Sequence, residues 1–552
     1  MNKDLNIVIS KINALLKEKK FEKIINEINK NFKENIKPPV IQNILGAAKI
    51  FKSSVSINDK LSAAQDFKQA YQNDISFVNP LINFIRLSIE LDDFEDAHNL
   101  AKKHIEKFGY KKEICQGIAR INFEIGNVKE SVKYLEKVLD NNDGSYINWT
   151  QYLIRLNYNY FFEQKEYLNK CKKFSNSLEV FDSNKLKYSH INNKKIKLGF
   201  LSADFRKHPV SSLLMNIAKT INKNKFETYG FSNVIKETYD DETRKYKNIF
   251  YKWIDISDLT DLETVNKIRD NNIDVLIHLG GLFDRSRLTV IKNRAAPVQI
   301  SWMNINTTGV KNMDYLIADN NLIKKNEEDL YSEKIIYMPN IWNVHSGFND
   351  KNLVNDFREI RSKTEIKFGS FNNFDKISDK VIKTWATILN KLNKTKLILR
   401  SSSIRNKEYI LSKFEKYNLK ERIKIKEKIK DQEDFLNSYK EIDLAFDTFP
   451  TPGIITTFEA LWMGVPVITM KGFNLCSRAG ESIMKNINMD ELISKNEDDY
   501  ISKVVNLCNN LDKLNLLRKK ILCESKSSKL YNYKIFNEEF EKIILNLVKK
   551  DK

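Results

Sequence analysis

Cysteine is scarce in this chain and follows no pattern. Five residues (Cys115, Cys171, Cys476, Cys508 and Cys523) make an odd, widely scattered set with no Cys-x-x-Cys pair. That argues against a disulfide framework and a cysteine zinc cluster, and makes a reducing, cytoplasmic compartment the expectation. The sequons at Asn148, Asn306 and Asn393 then carry no weight. Long apolar runs are missing as well, so no membrane insertion is expected. The first residues, MNKDLNIVISKINALLKEKK, set Asp4 early and lysines after the apolar stretch, which reads as an amphipathic helix and not as a secretory signal. Acidic residues are outnumbered, 72 Asp and Glu against 92 Lys and Arg, for a net charge of +20. The excess is mostly lysine, dispersed beside abundant Asn and Ile as an AT-rich coding bias would produce. With no helix-turn-helix, RRM or aromatic-interleaved basic stripe, no nucleic-acid partner is expected.

What is present is enough for several folded domains. The 552 residues exceed one hydrophobic core, and 41% apolar with 11% aromatic content rules out general disorder. The first third is poor in proline and glycine and helical in period throughout. It also repeats. Segments opening at Asn58, Asp92 and Gly126 lie 34 residues apart. Each then carries a small residue (Ala63, Ala97, Ser131), followed by Phe67, Ala101 and Leu135, and by Ala70, His104 and Val138. A 34-residue period with small side chains at close helix crossings resembles tetratricopeptide repeats, with an irregular helical bundle as the alternative. Segments 12–34 and 146–175 read as flanking helices, for a domain of residues 1–180.

The period changes near residue 194. Buried-strand runs follow at 195–204, 225–233, 274–281 and 297–303, separated by helical stretches. Alternation restarts after residue 365, with runs at 367–374, 395–401, 422–427, 442–447 and 466–470. Strand–helix alternation twice over predicts two parallel-sheet α/β domains, 194–350 and 365–525, and a last amphipathic helix within 526–552. Ligands of such sheets bind beyond the carboxyl ends of the strands.

The segment DLAFDTFPTPGIITTFEALWMGVPVITM (443–470) is the most informative. Pro450, Pro452 and Gly453 form a turn, and Thr456 and Thr457 open a helix beginning near Ile455. Free N–H groups and two hydroxyls at a helix N-terminus suit a diphosphate. Glu459, one turn on, is placed to accept from a ribose diol. Read alone, the threonines are an ordinary cap, and Glu459 an ordinary first-turn carboxylate.

Here the chain resembles the O-linked N-acetylglucosamine transferase family with its SPINDLY-like and bacterial members, over about residues 195–550. Other segments that carry the likeness are LGFLSADFRKHPVSSLL (198–214), RAAPVQISW (294–302), MDYLIADN (313–320), FGSFNNFDKISDKVIKTWATIL (368–389) and the pair Ser477-Arg478. The resemblance implies a GT-B fold: a pair of Rossmann-like α/β domains, here behind an all-α tetratricopeptide-like superhelical domain. It implies a nucleoside-diphosphate sugar donor, UDP-GlcNAc first, and inverting transfer to Ser or Thr of an acceptor protein bound by the repeats, without metal or other cofactor. Carried over by position, Lys376 is the cation on the diphosphate, Thr456 and Thr457 its donors, and Glu459 the ribose acceptor. Asn373 and Arg478 stand on the donor side, and His208 lines the acceptor side as a candidate base. His278, Asn304, Thr307 and Thr308 are candidate acceptor or sugar contacts, with His278 a second candidate base. Departures from the family pattern are Phe435, Leu282 and Ile454, apolar where relatives are polar, and the loop 304–309. They leave open a different sugar such as glucose or fucose, a non-protein acceptor, or a catalytically silent adaptor.

Overall fold

The computed structural model describes residues 2–32, 37–141, 144–158, 162–181, 195–283, 285–348, 359–361 and 365–550. Residues 33 and 34 of the expected flanking helix, and the expected boundaries at 194 and 350, lie outside them. The chain forms two compact units, residues 1–143 with 403–406, and residues 144–402 with 407–552.

The first unit is all helical. After helices Asn2–Lys17 and Phe21–Asn31 come three antiparallel hairpins: Pro39–Phe51 with Ile57–Asn73, Val78–Glu90 with Glu95–Phe108, and Lys112–Glu124 with Val128–Asp140. All nine residues of the 34-residue register are buried. The small ones sit where backbones approach: Ser131 Oγ donates to Ala119 O at 2.7 Å across the third hairpin. Asp92 and Gly126 take left-handed φ of 55° and 79° in equivalent turns. Asn58 instead lies just inside its helix, which a Ser56–Asp59 capping box starts early.

The helices Tyr146–Tyr158 and Gln164–Ser177 do not belong to that unit, so the first compact body ends at 143 and not at the expected 180. Tyr167, Cys171 and Phe174 are fully buried within the second unit. Gly309 shows why the contact is so close. At φ +71° it lies against Cys171, and a Cβ there would stand 2.4 Å from the Cys171 carbonyl carbon.

Two parallel sheets make up the rest. The first contains β1 (Ile196–Ser202), β2 (Phe226–Ser232), β3 (Lys252–Asp255), β4 (Val275–Leu279), β5 (Val298–Trp302), β6 (Tyr315–Asp319) and β7 (Lys334–Met338), in the order β3-β2-β1-β4-β5-β6-β7. The second contains β8 (Ile366–Ser370), β9 (Thr395–Arg400), β10 (Ile423–Lys426), β11 (Leu444–Phe446), β12 (Val467–Met470) and β13 (Ile493–Ser494), in the order β10-β9-β8-β11-β12-β13. Central strands such as β4 and β5 are buried along their whole length, as helix-covered parallel sheets require. In each sheet the order reverses beside the first strand, which opens a crevice at the carboxyl ends of β1 and β4 and of β8 and β11. The final helix, Tyr533–Lys550, returns to the first sheet, where Phe536 and Phe540 stack on Trp302 at 5.8 and 5.3 Å. Among the described residues no helix is long and apolar enough to cross a membrane.

Candidate functional site

At the β8–β11 crevice the residues after both strands are tied together by one buried acid. Asp447 follows β11, and its Oδ1 accepts from the N–H groups of Thr448 at 2.9 Å and Gly453 at 2.6 Å, and from Asn372 Nδ2 at 3.3 Å. Its Oδ2 accepts from Thr469 Oγ1 at 2.8 Å. Burial raises its pKa to about 6, although these donors and the charge of Lys376 pull the other way. The loop 448–453 is thereby wrapped around a carboxylate. Gly453 has to be glycine, because a Cβ would meet Thr456 Oγ1 at 2.1 Å and Asn372 Oδ1 at 2.8 Å.

The helix Ile455–Trp462 starts where the sequence places it, and no side chain caps it. Thr456 Oγ1 donates to Asn372 Oδ1 at 3.0 Å, and Thr457 Oγ1 donates back to Gly453 O at 3.0 Å. From the loop after β8, Lys376 Nζ reaches the same turn and donates to Pro452 O at 2.9 Å. An ammonium, a hydroxyl and an uncapped helix start thus converge at the crevice mouth, an arrangement that neutralises an oxyanion. Glu459, one turn deeper, is buried and accepts from Tyr439 Oη at 3.1 Å. Desolvation raises its pKa to about 8, outweighing that hydrogen bond, so it is largely protonated at neutral pH. Beside it Phe371, Phe435 and Tyr439 form an aromatic wall, with the Arg400 guanidinium 4.8 Å from the Phe371 ring.

The family profile described as glycosyl transferase family 41 matches residues 174–354 and 358–540, more than half of the chain. The chain belongs to glycosyl transferase family 41. It is 29% identical over 341 residues to a tomato (Solanum lycopersicum) protein named probable UDP-N-acetylglucosamine–peptide N-acetylglucosaminyltransferase SPINDLY, covering 60% of this chain and 36% of that one. The Arabidopsis thaliana protein of the same name is 28% identical over 368 residues, covering 65% and 40%. A Caenorhabditis elegans UDP-N-acetylglucosamine–peptide N-acetylglucosaminyltransferase is 20% identical over 473 residues, covering 65% and 41%. The chain therefore spans little more than a third of the length of these curated relatives. A solved structure of a mutant Thermobaculum terrenum O-GlcNAc transferase superposes with a TM-score of 0.79 at 22% identity, covering 93% of this chain and 99% of that one, which establishes the shared fold.

Within this family 41 fold, the other expected site residues divide sharply. His208 follows β1 and caps the helix Pro209–Thr220, its Nδ1 accepting from Val210 N–H at 3.3 Å and standing 3.6 Å from Asp204 Oδ1. Burial lowers its pKa, so the ring is neutral at pH 7. It remains partly exposed, as a group that meets substrate must be. His278, the other candidate base, does not qualify. It is fully buried in β4, Nε2 lies 2.6 Å from Ser286 O, and burial lowers its pKa to about 4.

The loop 304–309 also faces inward. Thr307 Oγ1 donates to Glu333 Oε2 at 2.6 Å, and Thr308 donates to Glu333 Oε1 through both its N–H at 2.7 Å and its hydroxyl at 2.5 Å. Asn304 is buried over Gly281 and accepts from Ile305 N–H at 2.8 Å. None of the three presents a free polar group to a cleft, which corrects their assignment as sugar or acceptor contacts. Arg478 needs the same correction. Its guanidinium is buried in a paired bridge to Glu327 and donates to Leu322 O at 3.1 Å and Gly472 O at 3.2 Å, which leaves it a brace between the two sheets. Asn373 is exposed and lies 3.4 Å from Lys428 Nζ, while its neighbour Asn372 faces the loop. Leu282 is core. Asp447, Asn372 and Tyr439 were missed by the sequence reading. A strand-end acid directly before a Pro- and Gly-rich turn, as in IDLAFD followed by TFPTPG, is the signal that points to Asp447.

Proposed function

We propose that this chain transfers N-acetylglucosamine from UDP-GlcNAc to Ser or Thr hydroxyls of an acceptor protein, with inversion and without a metal. The observation that carries this reading is the convergence of Lys376, Thr456 and the uncapped helix start on one turn. Charge develops there on the leaving diphosphate, and preorganised donors stabilise it. The acceptor oxygen attacks the anomeric carbon from the opposite face. The bond from that carbon to the diphosphate oxygen breaks, and its electron pair leaves with UDP. The hydroxyl proton passes to a base, for which we assign His208 Nε2. In the tautomer that accepts at Nε2 the proton sits on Nδ1, which then faces Asp204 Oδ1 at 3.6 Å in place of accepting from Val210 N–H. The names of the relatives support a peptide acceptor, and we assign its presentation to the repeat unit. Five free cysteines support a cytoplasmic setting.

The test is a screen of UDP- and GDP-sugars with protein acceptors in the presence of EDTA. UDP-GlcNAc turnover is the expected result; tight nucleotide binding without turnover of any donor would move the chain to the adaptor reading. Lys376→Ala should weaken UDP binding about tenfold or more, and uridine binding hardly at all, because an ammonium at the phosphates has no reach to the base. Equal losses would make Lys376 structural. His208→Ala should lower kcat about 10²–10⁴-fold with little change in donor affinity. A second reading, a looser or different sugar preference, is favoured by Phe435, whose ring packs on Phe371 and Tyr439 at a position where the family resemblance implies a polar group. Comparison of kcat/KM for UDP-GlcNAc, UDP-glucose and GDP-fucose decides between them.

A further inference from the structure

The helix pair 146–177 does more than fill space, because its buried amides join the loop after β5 to the loop after β11. Asn157, Gln164, Asn306 and Thr451 are all buried. The orientation of the amides is unambiguous. Thr307 N–H lies 2.8 Å from one terminal atom of Asn306, and since that N–H can only donate, the atom is Oδ1. Asn306 Nδ2 then donates to Asn157 Oδ1 at 2.9 Å and Gln164 Oε1 at 3.2 Å, and Gln164 Nε2 returns a bond to Asn306 Oδ1 at 2.7 Å. Asn157 Nδ2 donates to Leu153 O and to Tyr167 Oη, both at 2.9 Å. Gln164 Nε2 also reaches Leu330 O at 3.4 Å. Every amide hydrogen of the three side chains has an acceptor, and a fully satisfied buried network is rigid.

Its far end holds the turn that receives Lys376. Thr451 Oγ1 donates at 2.8 Å to the carbonyl of Asn157, an acceptor left over at the end of the helix Tyr146–Tyr158. Thr451 stands between Pro450 and Pro452, whose rings fix the backbone on both sides. A shift of Thr451 therefore passes directly to Pro452 O, the partner of Lys376, and to Gly453 N–H, the partner of Asp447.

We propose that Asn157, Gln164 and Asn306 are positioning residues that set the turn receiving Lys376 in register with the loop 304–309 after β5. The consequence for nucleotide binding rests on the donor-site reading above; the mechanical coupling does not. The test uses the full chain with Thr451→Val, which removes only the anchoring hydroxyl, and with Gln164→Met and Asn306→Ala, which alter the network's amides and leave Thr451 and Lys376 in place. Amide hydrogen exchange over 448–453 and binding of UDP and of uridine are measured for each. Each variant should speed exchange at Gly453 about tenfold while β12 amides keep their protection, and should weaken UDP but not uridine about tenfold. Thr451→Ser should restore both, and Thr451→Val combined with Gln164→Met should be no worse than the more severe single change. If Asn306→Ala does not fold, Gln164→Met carries the test alone. Unchanged exchange at Gly453 in Gln164→Met, or additive effects in the double variant, overturns the coupling. A wild-type chain that binds no UDP overturns the donor reading instead, and the exchange result still decides the coupling.

Discussion

Glu459 is unusual in being a carboxyl that the fold prefers to keep protonated. In the unfolded chain it titrates near 4.5, and in the folded chain burial moves it to about 8. Between those values the folded state holds a proton that the unfolded state has lost. Stability therefore falls as pH rises through this window, and levels off above about 8. Glu459→Gln keeps the shape and the acceptor for Tyr439 Oη but cannot ionise. Its stability advantage over the wild type should grow from about pH 5 to about pH 8, to a few kcal/mol, and then stay constant. Asp447, with its own window between 3.8 and about 6, is common to both proteins and cancels in the difference. Denaturant curves at a series of pH values supply the measurement. Parallel stabilities across the window would mean that Glu459 is ionised in the folded state and accepts as a carboxylate.

At the scale of elements, the repeat hairpins depend on a few positions without room. Ala97 is fully buried in the helix Glu95–Phe108, at the same phase as Ala63 and Ser131. Ala97→Leu should force the crossing apart and destabilise the first unit by roughly 1–3 kcal/mol, read from the shift of its urea midpoint. A neutral substitution would show a looser crossing than the register requires. Such positions were legible in the sequence because helix period and small residues are local signals. The start of the helix at Ile455 was legible for the same reason, since Pro and Gly just before a threonine pair mark a turn that opens a helix. Four strands fall outside the expected runs: exposure breaks the apolar run of β3 and β7, β13 has only two residues, and β6, though buried, lies in a segment read as a motif and not as a strand. The loop 304–309 was misread for a different reason. Whether Thr307 faces a cleft or the interior depends on Glu333, 26 residues away, and no local pattern encodes that choice. Arg478 was misread likewise, because its partner Glu327 lies 151 residues earlier.

At the scale of the molecule, the division at 143 allows the proposed roles of the two units to be tested apart. Residues from 144 onward carry both sheets, the turn at Lys376 and the amide network, whereas the repeat hairpins lie before it. A chain beginning at 144 should bind UDP as the full chain does and still hydrolyse UDP-GlcNAc slowly. On the proposed assignment of acceptor presentation to the repeats, its transfer to a folded protein acceptor should drop about tenfold or more, since tethering would no longer raise the local acceptor concentration. A chain beginning at 182 is a harsher cut. It removes Tyr167, Cys171 and Phe174, uncovers the apolar surface beneath them and leaves Thr451 without the Asn157 carbonyl. It should aggregate or bind UDP weakly, because the exposed patch favours association and the turn loses its anchor. Sedimentation together with UDP titration of both fragments distinguishes these outcomes. Full protein glycosylation by the chain from 144 would remove the repeats from acceptor recognition. Tight UDP binding by a soluble chain from 182 would show that the helix pair 146–177 is dispensable to the site.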